Sequence, residues 1–541
     1  MRFLFFLIFF LTSLAAQAAN PSEDTFLQTE EADEQPPEIG IDKLPESWQQ
    51  HSFSTDYKSI NPAEKHEKIA IVGGGISGLY MASLLKEVGY SNITVFDSGT
   101  NKKIRGMKFK SKNGKSYWMP QGAIQISPGY LITGALASKY NIPLQKHHPV
   151  SEMKVAKEEG HNEVLNFRKN LLPAPHQEYI KFTNAYEEYV TKFNKLVASN
   201  FEYKHWNPLF AKSLNDLLLQ VLKESKAKLS LNQARSLFAL YLRSYGYGDN
   251  PTAYSVLSYV GSIRLLVPHA VWADGHLRLI RGGFQRIVNH LKEEVKDCLH
   301  EQTSVVSLTK IPREGQNPQV SLEIQKSGQA NKTLVFDRVV VAAPFKQFVE
   351  SGAIQNPNPW EQQIARDYKN EPYRTVQATV EHLPRGFFIL TDNLKKDGYP
   401  TLIVNNFDKD CPENFATFYI PEHQTHTTEA ETVRKLKETG AKLGLGSIDV
   451  HSVNIWNNFS AYFHNRVQEN LALSVNSNFQ GKEGIYYHLP FHDTVEPNLR
   501  FVHILFQMMT GKKAKFDSNS PQMHLNLAKK WIFAKRTAQV D

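Results

Sequence analysis

Near the start of the chain, short unbroken apolar runs flank an amphipathic run. Lys68 to Val72 is short and apolar, which predicts a strand buried on both faces, as in a parallel sheet. From Ile76 to Val88, leucine and valine residues recur at helical spacing. Ile93 to Phe96 is a second apolar run, rich in β-branched residues. The pattern therefore predicts a strand–turn–helix–strand unit with parallel strands.

The rest of the chain divides into helical and strand-rich stretches. From about Ser151 to Leu266, apolar residues spaced three and four apart predict helices. Between Asp297 and Pro344, and again between Pro372 and Ile420, alternating or continuous apolar runs between turn residues predict strands. The alternation of helices and strands favours the α/β class.

The turn between the first predicted strand and helix carries a spaced glycine motif. Gly73, Gly75 and Gly78 fit G-x-G-x-x-G, in which the glycines allow a tight turn, the approach of a diphosphate and close helix–strand packing. The helix N-terminus would offer its free amides to the phosphates, and Ser77 its hydroxyl. Asp97 follows about twenty residues later, where an acid accepts ribose hydroxyls. The unit predicts dinucleotide binding; the alternative is a glycine turn that binds nothing.

The N-terminus has the pattern of a secretory signal peptide. Arg2 precedes an apolar run from Phe3 to about Leu11, and Ala16 and Ala18 form an A-x-A pair, so cleavage is expected after Ala18. The alternative is a membrane anchor, but the run is shorter than the roughly twenty residues that a spanning helix needs. The sequence therefore predicts a secreted or periplasmic protein. The acidic stretch from Glu23 to Glu38 predicts a solvated linker.

Composition narrows the class of protein. The 541 residues are 41% hydrophobic and 21% charged, which is typical of a large globular protein with a buried core. The net charge of +8 is spread along the chain without a basic stripe, which argues against nucleic acid as a partner. Cys298 and Cys411 have no spacing that argues for a disulfide, and we find no cluster with metal-ligand spacing.

Six sequence blocks stand out between Lys68 and about Val502. The blocks are IAIVGGGISGLYMASLL with the later Asp97, NGKSYWMPQGAIQI, SYGYGDNPTAYSVLSY, RGGFQRIVNHL, TSVVSL followed by FDRVVVAAP, and WNNFSAYF to FQGKEGIYYHLPFHDTVEPNLRF. In this order and spacing they resemble the flavin-dependent amine oxidase superfamily, in the group that includes fatty-acid double-bond isomerases. The resemblance implies FAD as cofactor and a Rossmann-type FAD-binding domain with a mixed helical and β-sheet substrate domain.

The resemblance also implies domain boundaries and cofactor-binding residues. Gly122 and Ala123 look like the family's Gly-Ala that approaches the flavin, and Val305 like the residue whose backbone meets the adenine. Thr494 and Val495 would begin a helix whose amides point at the flavin; the alternative is an ordinary capped surface helix. The expected division is a signal peptide at 1–18, an acidic linker at 19–65, an FAD-binding domain from 66–130, 275–345 and 480–505, a substrate domain from 131–274 and 346–479, and a C-terminal helical tail at 506–541. The expected cofactor-binding residues are Gly73, Gly75, Ile76, Ser77, Gly78, Asp97, Ser98, Arg105, Gly122, Ala123, Val305, Thr494 and Val495.

The chain departs from the family pattern at three places. Lys103, Ile104 and Arg105 stand where the family often has Gly-Gly-Arg, and Asp97 stands where Glu is commoner. His488 and Leu489 replace a glycine and an acid. The aromatic candidates for lining the substrate site are Trp456, Tyr462, Tyr486 and Tyr487, and His488 is a candidate acid/base group; the sequence assigns no catalytic residue.

The expected function is an exported FAD-dependent oxidoreductase that takes a hydride from an amine or other small organic substrate. Two alternatives stay open. One is a redox-neutral flavin isomerase of unsaturated fatty acids, which predicts a long apolar tunnel through the helical segment. The other is a flavoprotein that kept the fold and lost turnover.

Overall fold

The computed structural model describes most of the chain after Asn61, in separate stretches. These are residues 62–99, 106–122, 125–126, 130–146, 152–156, 162–166, 178, 181–182, 185–186, 214–231, 234, 278–314, 318–383, 388–391, 399–400, 402–405, 411–421, 427–463, 480–481, 483–489 and 495–512. The expected signal peptide and acidic linker lie outside the described residues, apart from the last positions of the linker. No helix within these stretches is both long enough and apolar enough to cross a membrane.

The strands and helices are numbered here in chain order. The strands are β1 (Ile69–Val72), β2 (Ile93–Asp97), β3 (Gly106–Lys110), β4 (Ser116–Pro120), β5 (Gln125–Ile126), β6 (Leu144–Lys146), β7 (Glu152–Ala156), β8 (Asn162–Asn166), β9 (Arg278–Ile280), β10 (Leu299–Glu301), β11 (Thr303–Ile311), β12 (Gln319–Lys326), β13 (Lys332–Phe336), β14 (Arg338–Val341), β15 (Tyr368–Val380), β16 (Phe388–Thr391), β17 (Leu402–Val404), β18 (Phe415–Pro421), β19 (Ile448–Phe463) and β20 (Ile485–Tyr487). The helices are α1 (Ile76–Glu87), α2 (Leu131–Lys139), α3 (Leu214–Ser225), α4 (Gln285–Glu294), α5 (Phe345–Glu350), α6 (Pro359–Asp367), α7 (Glu429–Leu443) and α8 (Val495–Thr510).

A five-stranded parallel sheet forms the first layer. Its strand order is β10-β2-β1-β14-β20, and each described pairing within it is parallel. The central strands β1 and β14 are buried along their whole length, as expected for strands covered on both faces. The predicted β1–α1–β2 unit and the α/β class are confirmed. Four distant parts of the chain therefore build one sheet.

Helix α1 covers this sheet, and helices α4 and α8 pack against α1. Helix α1 is buried from Ile76 to Leu85, so it lies between the sheet and other helices. Helix α4 buries an apolar stripe of Ile287, Val288 and Leu291, at the spacing expected of an amphipathic helix. Helix α8 packs against α1. The positions of α1 and α8 bring the N-terminal turn and the C-terminal block into one layer.

A seven-stranded sheet forms the second large element. Its strand order is β19-β15-β18-β17-β16-β7-β8, with β16 and β7 parallel and the other described pairs antiparallel. One face is apolar, and its Val376 and Phe418 join Leu436 of α7 in a core cluster. The opposite face carries Thr375 and Tyr419, which sit directly across from one another in the register. The predicted strands between Pro372 and Ile420 are confirmed.

The helical prediction from Ser151 to Leu266 is wrong at its start and confirmed at α3. The segment begins with β7 and β8, which pair antiparallel at the edge of the seven-stranded sheet. Met153 and Val155 lie two residues apart, which is strand spacing, and β7 gains a parallel partner in β16. Pairing with a distant strand thus overrides the local helical pattern. The other residues of that range fall largely outside the described stretches.

Both cysteines are buried as free thiols. The Sγ of Cys298 contacts the Val295 carbonyl at 3.3 Å, and the Sγ of Cys411 contacts Glu413 Oε2 at 3.4 Å. Among the described residues, no group of three or more His, Cys, Asp and Glu side chains could hold a metal ion.

Candidate functional site

The glycine turn joins the carboxyl end of β1 to the start of α1. Gly73 has a φ of +118°, in the region that favours glycine, and its N–H donates to the Phe96 carbonyl at 2.8 Å. A Cβ on Gly73 would lie 2.8 Å from the Ala342 carbonyl carbon, and a Cβ on Gly78 would lie 2.0 Å from the Gly73 oxygen. These two glycines are therefore required by the packing of the turn itself.

Gly75 differs from the other two motif glycines. Its φ is −75°, which any residue adopts, and a Cβ placed on it would meet no heavy atom of the described residues within 4 Å. The protein therefore leaves open space at Gly75 that packing does not explain. A diphosphate approaching the backbone needs this kind of space.

Gly75 is also the N-cap of α1, and it leaves the helix end open to a ligand. Among the described residues, no side chain caps this end, and the first turn holds no acidic residue. The amides of Ile76, Ser77 and Gly78 therefore lie at the positive end of the helix dipole, which suits an anion.

Asp97 lies directly beside this turn. It is the last residue of β2 and is buried, and its Oδ1 accepts a hydrogen bond from the Gly99 N–H at 2.9 Å. A Cβ on Gly74 would lie 2.7 Å from Asp97 Oδ2, so the carboxylate packs against the turn. The structure thus brings the turn, Asp97 and the following Ser98 to the carboxyl edge of the parallel sheet. Ligands of open α/β sheets bind at this edge.

Val305 lies on β11, close in sequence to the same edge. Strand β10 pairs with β2, placing Glu301 opposite Asp97. Gln302 follows, and its side-chain nitrogen would be 2.8 Å from a Cβ on Gly99. The connection that leads to Val305 therefore contacts the loop after Asp97, and the register of β11 against β12 shifts between Val305 and Ser307.

Gly122 follows the β3–β4 hairpin. Its carbonyl accepts a hydrogen bond from the Tyr419 hydroxyl at 2.8 Å, and the neighbouring Gln121 carbonyl accepts one from Thr375 Oγ1 at 2.6 Å. Both hydroxyls belong to the seven-stranded sheet. Gly122 therefore lies where the hairpin contacts that sheet.

The C-terminal block completes the parallel sheet. Val495 is buried at the first turn of α8, as the sequence predicted for the start of this helix. His488 is buried too. Its backbone N–H donates to the Val341 carbonyl at 2.9 Å, and its ring Nε2 lies 3.1 Å from the Asn498 carbonyl. These contacts tie β20, β14 and α8 together. Arg105, Ala123 and Thr494 lie outside the described residues, so their binding roles stay predictions.

The aromatic candidates divide by position. Tyr486 and Tyr487 are fully buried in the core cluster of the parallel sheet. Burial raises the pKa of Tyr486 to about 12, and burial together with Glu361 raises the pKa of Tyr487 well above its ordinary value. Trp456 lies on the seven-stranded sheet, where its indole N–H donates to Thr375 Oγ1 at 2.9 Å. The side chain of Tyr462 lies outside the described residues.

Thr375, Gln377 and Tyr419 were not among the candidate residues predicted from the sequence. The first two alternate with apolar residues in TVQATV, and Tyr419 lies in FATFYI, so period-two spacing would have put each on a polar face of its strand. The pairing of β15 with β18, which places Thr375 beside Tyr419, joins residues far apart in the chain. No local pattern encodes that register.

The family assignment follows from a match over most of the folded part. A family model described as flavin containing amine oxidoreductase matches residues 76–445. The chain belongs to this family. No curated protein sequence matches the chain at a significant level.

Solved structures with the same fold include members with different chemistry. A CLA-producing fatty acid isomerase from P. acnes has a TM-score of 0.59 at 17% identity, covering 83% of this chain and 99% of that chain. A putrescine oxidase double mutant has a TM-score of 0.54 at 14% identity, covering 86% of this chain and 99% of that chain. A wild-type putrescine oxidase bound to putrescine has a TM-score of 0.53 at 13% identity, with coverages of 86% and 99%. At these identities the likeness shows the fold of this flavin-containing amine oxidoreductase.

The cofactor is FAD, and the turn fits it. The open space at Gly75, the uncapped N-terminus of α1 and the buried Asp97 offer a diphosphate site with a ribose acceptor beside it. When bound, FAD supplies a two-electron acceptor. This chain's residues hold and orient that group.

Replacing Asp97 with asparagine tests the ribose contact. Asp97→Asn keeps the side-chain oxygen that accepts the Gly99 N–H, so the loop should stay in place. The loss of a charged acceptor should weaken FAD binding about 10-fold, since hydrogen bonds to charged groups contribute roughly 1.5–3 kcal/mol. Fluorescence titration of the apoprotein with FAD measures this change. If the variant binds FAD as tightly as the wild-type protein does, Asp97 does not contact the cofactor.

Proposed function

We propose that this protein is an exported FAD-dependent oxidoreductase of the amine oxidase type, which transfers a hydride from an amine or other small organic substrate to the flavin. The observation that carries the proposal is the open glycine turn beside Asp97, in a chain of the flavin-containing amine oxidoreductase family. In a chain that bound no cofactor, a larger residue could replace Gly75, because the packing of the turn does not require glycine there.

The experiment begins with the absorbance spectrum of the purified protein. A flavin spectrum should be present, and a panel of primary amines, polyamines and other small C–H donors should include one that bleaches it without oxygen. Readmitting oxygen should restore the colour and release hydrogen peroxide.

Two results would contradict the proposal. Conversion of an unsaturated fatty acid to a product of unchanged mass, without oxygen uptake, would replace it with the isomerase function. Protein that folds but neither retains nor rebinds FAD would replace it with a non-catalytic role.

Export is tested separately, by the mass of the mature chain. We expect the secreted or periplasmic protein to begin at Ala19, because the A-x-A pair before it directs cleavage after Ala18. Deleting residues 1–18 should keep the protein inside the cell. An uncleaved chain in the membrane fraction would instead indicate an anchor.

A further inference from the structure

Side chains of the seven-stranded sheet hold the backbone at Gln121 and Gly122 by hydrogen bonds. Besides the hydrogen bonds from Thr375 and Tyr419, the Gln377 amide donates to the Gln121 carbonyl at 3.3 Å. Two consecutive carbonyls therefore accept hydrogen bonds from side chains on β15 and β18. The contact is specific, because it uses three polar groups and two adjacent backbone acceptors.

The hydroxyls that make this contact are themselves held in place. Thr375 Oγ1 accepts the Trp456 indole N–H at 2.9 Å while donating to the Gln121 carbonyl, so its hydrogen is directed to one acceptor. Thr375 is fully buried, and the large majority of buried side-chain polar atoms in proteins are hydrogen-bonded. Ser452 accepts from the Gln121 side chain at 3.1 Å and donates to Gln377 Oε1 at 2.6 Å. The network fixes both the backbone and the side chain of Gln121.

The hairpin that carries this backbone starts from the site edge of the parallel sheet. The chain leaves β2 at Asp97 and enters β3 at Gly106, which pairs with Pro120 at the end of β4. Gln121 and Gly122 follow directly. The far end of the hairpin is held beside the other sheet too, since Ser111 Oγ donates at 2.6 Å to Oε2 of Glu413, which lies two residues before β18. The base of the hairpin lies at the start of α4, because a Cβ on Gly106 would be 3.7 Å from Gln285 Cβ and a Cβ on Gly283 would be 3.7 Å from Pro120 Cβ. The other end of α4 leads into β10, which runs parallel to β2, so the start of α4 faces the carboxyl edge of the parallel sheet.

The hydrogen bonds to the Gln121 and Gly122 carbonyls fix the direction of the Gly122 N–H group. The described chain has no cis peptide bond, so the N–H of Gly122 points opposite to the Gln121 carbonyl. Because that carbonyl faces Thr375, the Gly122 N–H faces away from the sheet. A rotated peptide would turn the N–H elsewhere and break the Thr375 and Gln377 hydrogen bonds.

We infer that Thr375 and Tyr419 are positioning residues of the redox site, which fix the Gln121–Gly122 backbone so that the Gly122 N–H is presented away from the sheet toward the bound cofactor. This inference rests on the proposed function, because it assumes that the flavin occupies the site. Neither hydroxyl needs to touch the substrate. Their effect is to keep one backbone donor in a constant orientation, which preorganised sites require.

The test compares removal of the two hydroxyls that hold the Gln121–Gly122 backbone with removal of a similar hydroxyl elsewhere. Tyr419→Phe and Thr375→Val remove the two hydroxyls, and Thr375→Ser restores one. Tyr90→Phe is the control, because its hydroxyl also donates to a backbone carbonyl, that of Ala63, at 2.6 Å. Tyr90 precedes β2 and Ala63 precedes β1, so this bond lies at the opposite edge of the parallel sheet.

The readouts are the flavin absorbance spectrum, the flavin reduction potential and the separate values of kcat and KM. We expect Tyr419→Phe and Thr375→Val to shift the spectrum and the potential, and to lower kcat about 10-fold with little change in KM, since loss of preorganisation acts on the chemical step. Thr375→Ser should restore the wild-type values. Tyr90→Phe should leave all of them unchanged.

The outcomes separate this inference from the proposed function. Wild-type protein that binds no flavin contradicts the proposed function. Wild-type protein that binds flavin, with Tyr419→Phe and Thr375→Val matching Tyr90→Phe in spectrum, potential and kcat, overturns the positioning role. If Thr375→Val fails to fold, Tyr419→Phe alone decides, because it removes a single oxygen from a half-buried side chain.

Discussion

We expect the Gly75→Val variant to fold normally and to lose FAD. A Cβ at Gly75 meets no described heavy atom within 4 Å, and the φ of −75° suits valine as well as glycine. The added methyl groups would instead fill the space through which a diphosphate reaches the amides of α1. We expect FAD affinity to fall about 100-fold or more, which corresponds to ~2.7 kcal/mol. Flavin content after purification and titration of the apoprotein measure the loss.

Gly78→Ala is the contrasting variant at the same turn. Its Cβ would lie 2.0 Å from the Gly73 oxygen, so the helix must move away from the strand whether or not FAD is present. The melting temperature of the apoprotein should therefore fall much more for Gly78→Ala than for Gly75→Val, in which only the preference of the N-cap for glycine over valine is lost. A Gly75→Val protein that stays yellow and fully loaded would show that the cofactor does not use this turn.

The glycine turn was predictable because its determinants are local. The apolar run from Lys68 to Val72, the three glycines and Asp97 occupy about thirty consecutive residues, and each constraint acts between neighbours in sequence or in one βαβ unit. The sequence therefore placed β1, α1, β2 and the acid within a residue or two.

The hydrogen bonds that hold Gln121 and Gly122 to the seven-stranded sheet were not predictable in the same way. It depends on the register of β15 against β18 and on where the β3–β4 hairpin meets that sheet. Both are long-range choices set by packing of the whole domain. Strand β7 shows the same limit, since its parallel partner β16 lies more than two hundred residues away.

The role of Tyr487 also depended on distant residues. It looked like a candidate for lining a substrate site, and the structure places its hydroxyl on Glu361, inside the core. Glu361 is a charged residue in an amphipathic helix, which a sequence pattern assigns to the surface. Its burial could be seen only once Lys310 and Tyr487 were brought beside it.

The Glu361→Ala variant should lose a large part of the stability of the protein. The Glu361 side chain is 1% exposed, and its Oε2 lies 2.7 Å from Lys310 Nζ and accepts the Asn358 N–H at 2.7 Å. Alanine would leave the buried Tyr487 hydroxyl without its acceptor and Lys310 with only Glu483 among these partners. Removing one member of a buried ion pair costs about 3–5 kcal/mol, and we expect about 3 kcal/mol because Glu483 remains. Chemical denaturation of the apoprotein measures this loss.

A surface ion pair provides the control for Glu361→Ala, and a double variant separates charge from packing. Glu293 pairs with Lys296 at an exposed position, so Glu293→Ala should cause no measurable loss. Glu361→Met combined with Lys310→Met should lose less stability than the two single changes added together, because neither Glu361 nor Lys310 is then left buried without the other. Since Tyr487 lies on β20 at the edge of the parallel sheet, destabilisation there should also loosen α8, which follows β20 in the chain. Equal stability of Glu361→Ala and Glu293→Ala would show that the contacts of Glu361 with Lys310 and Tyr487 do not hold β20 in place.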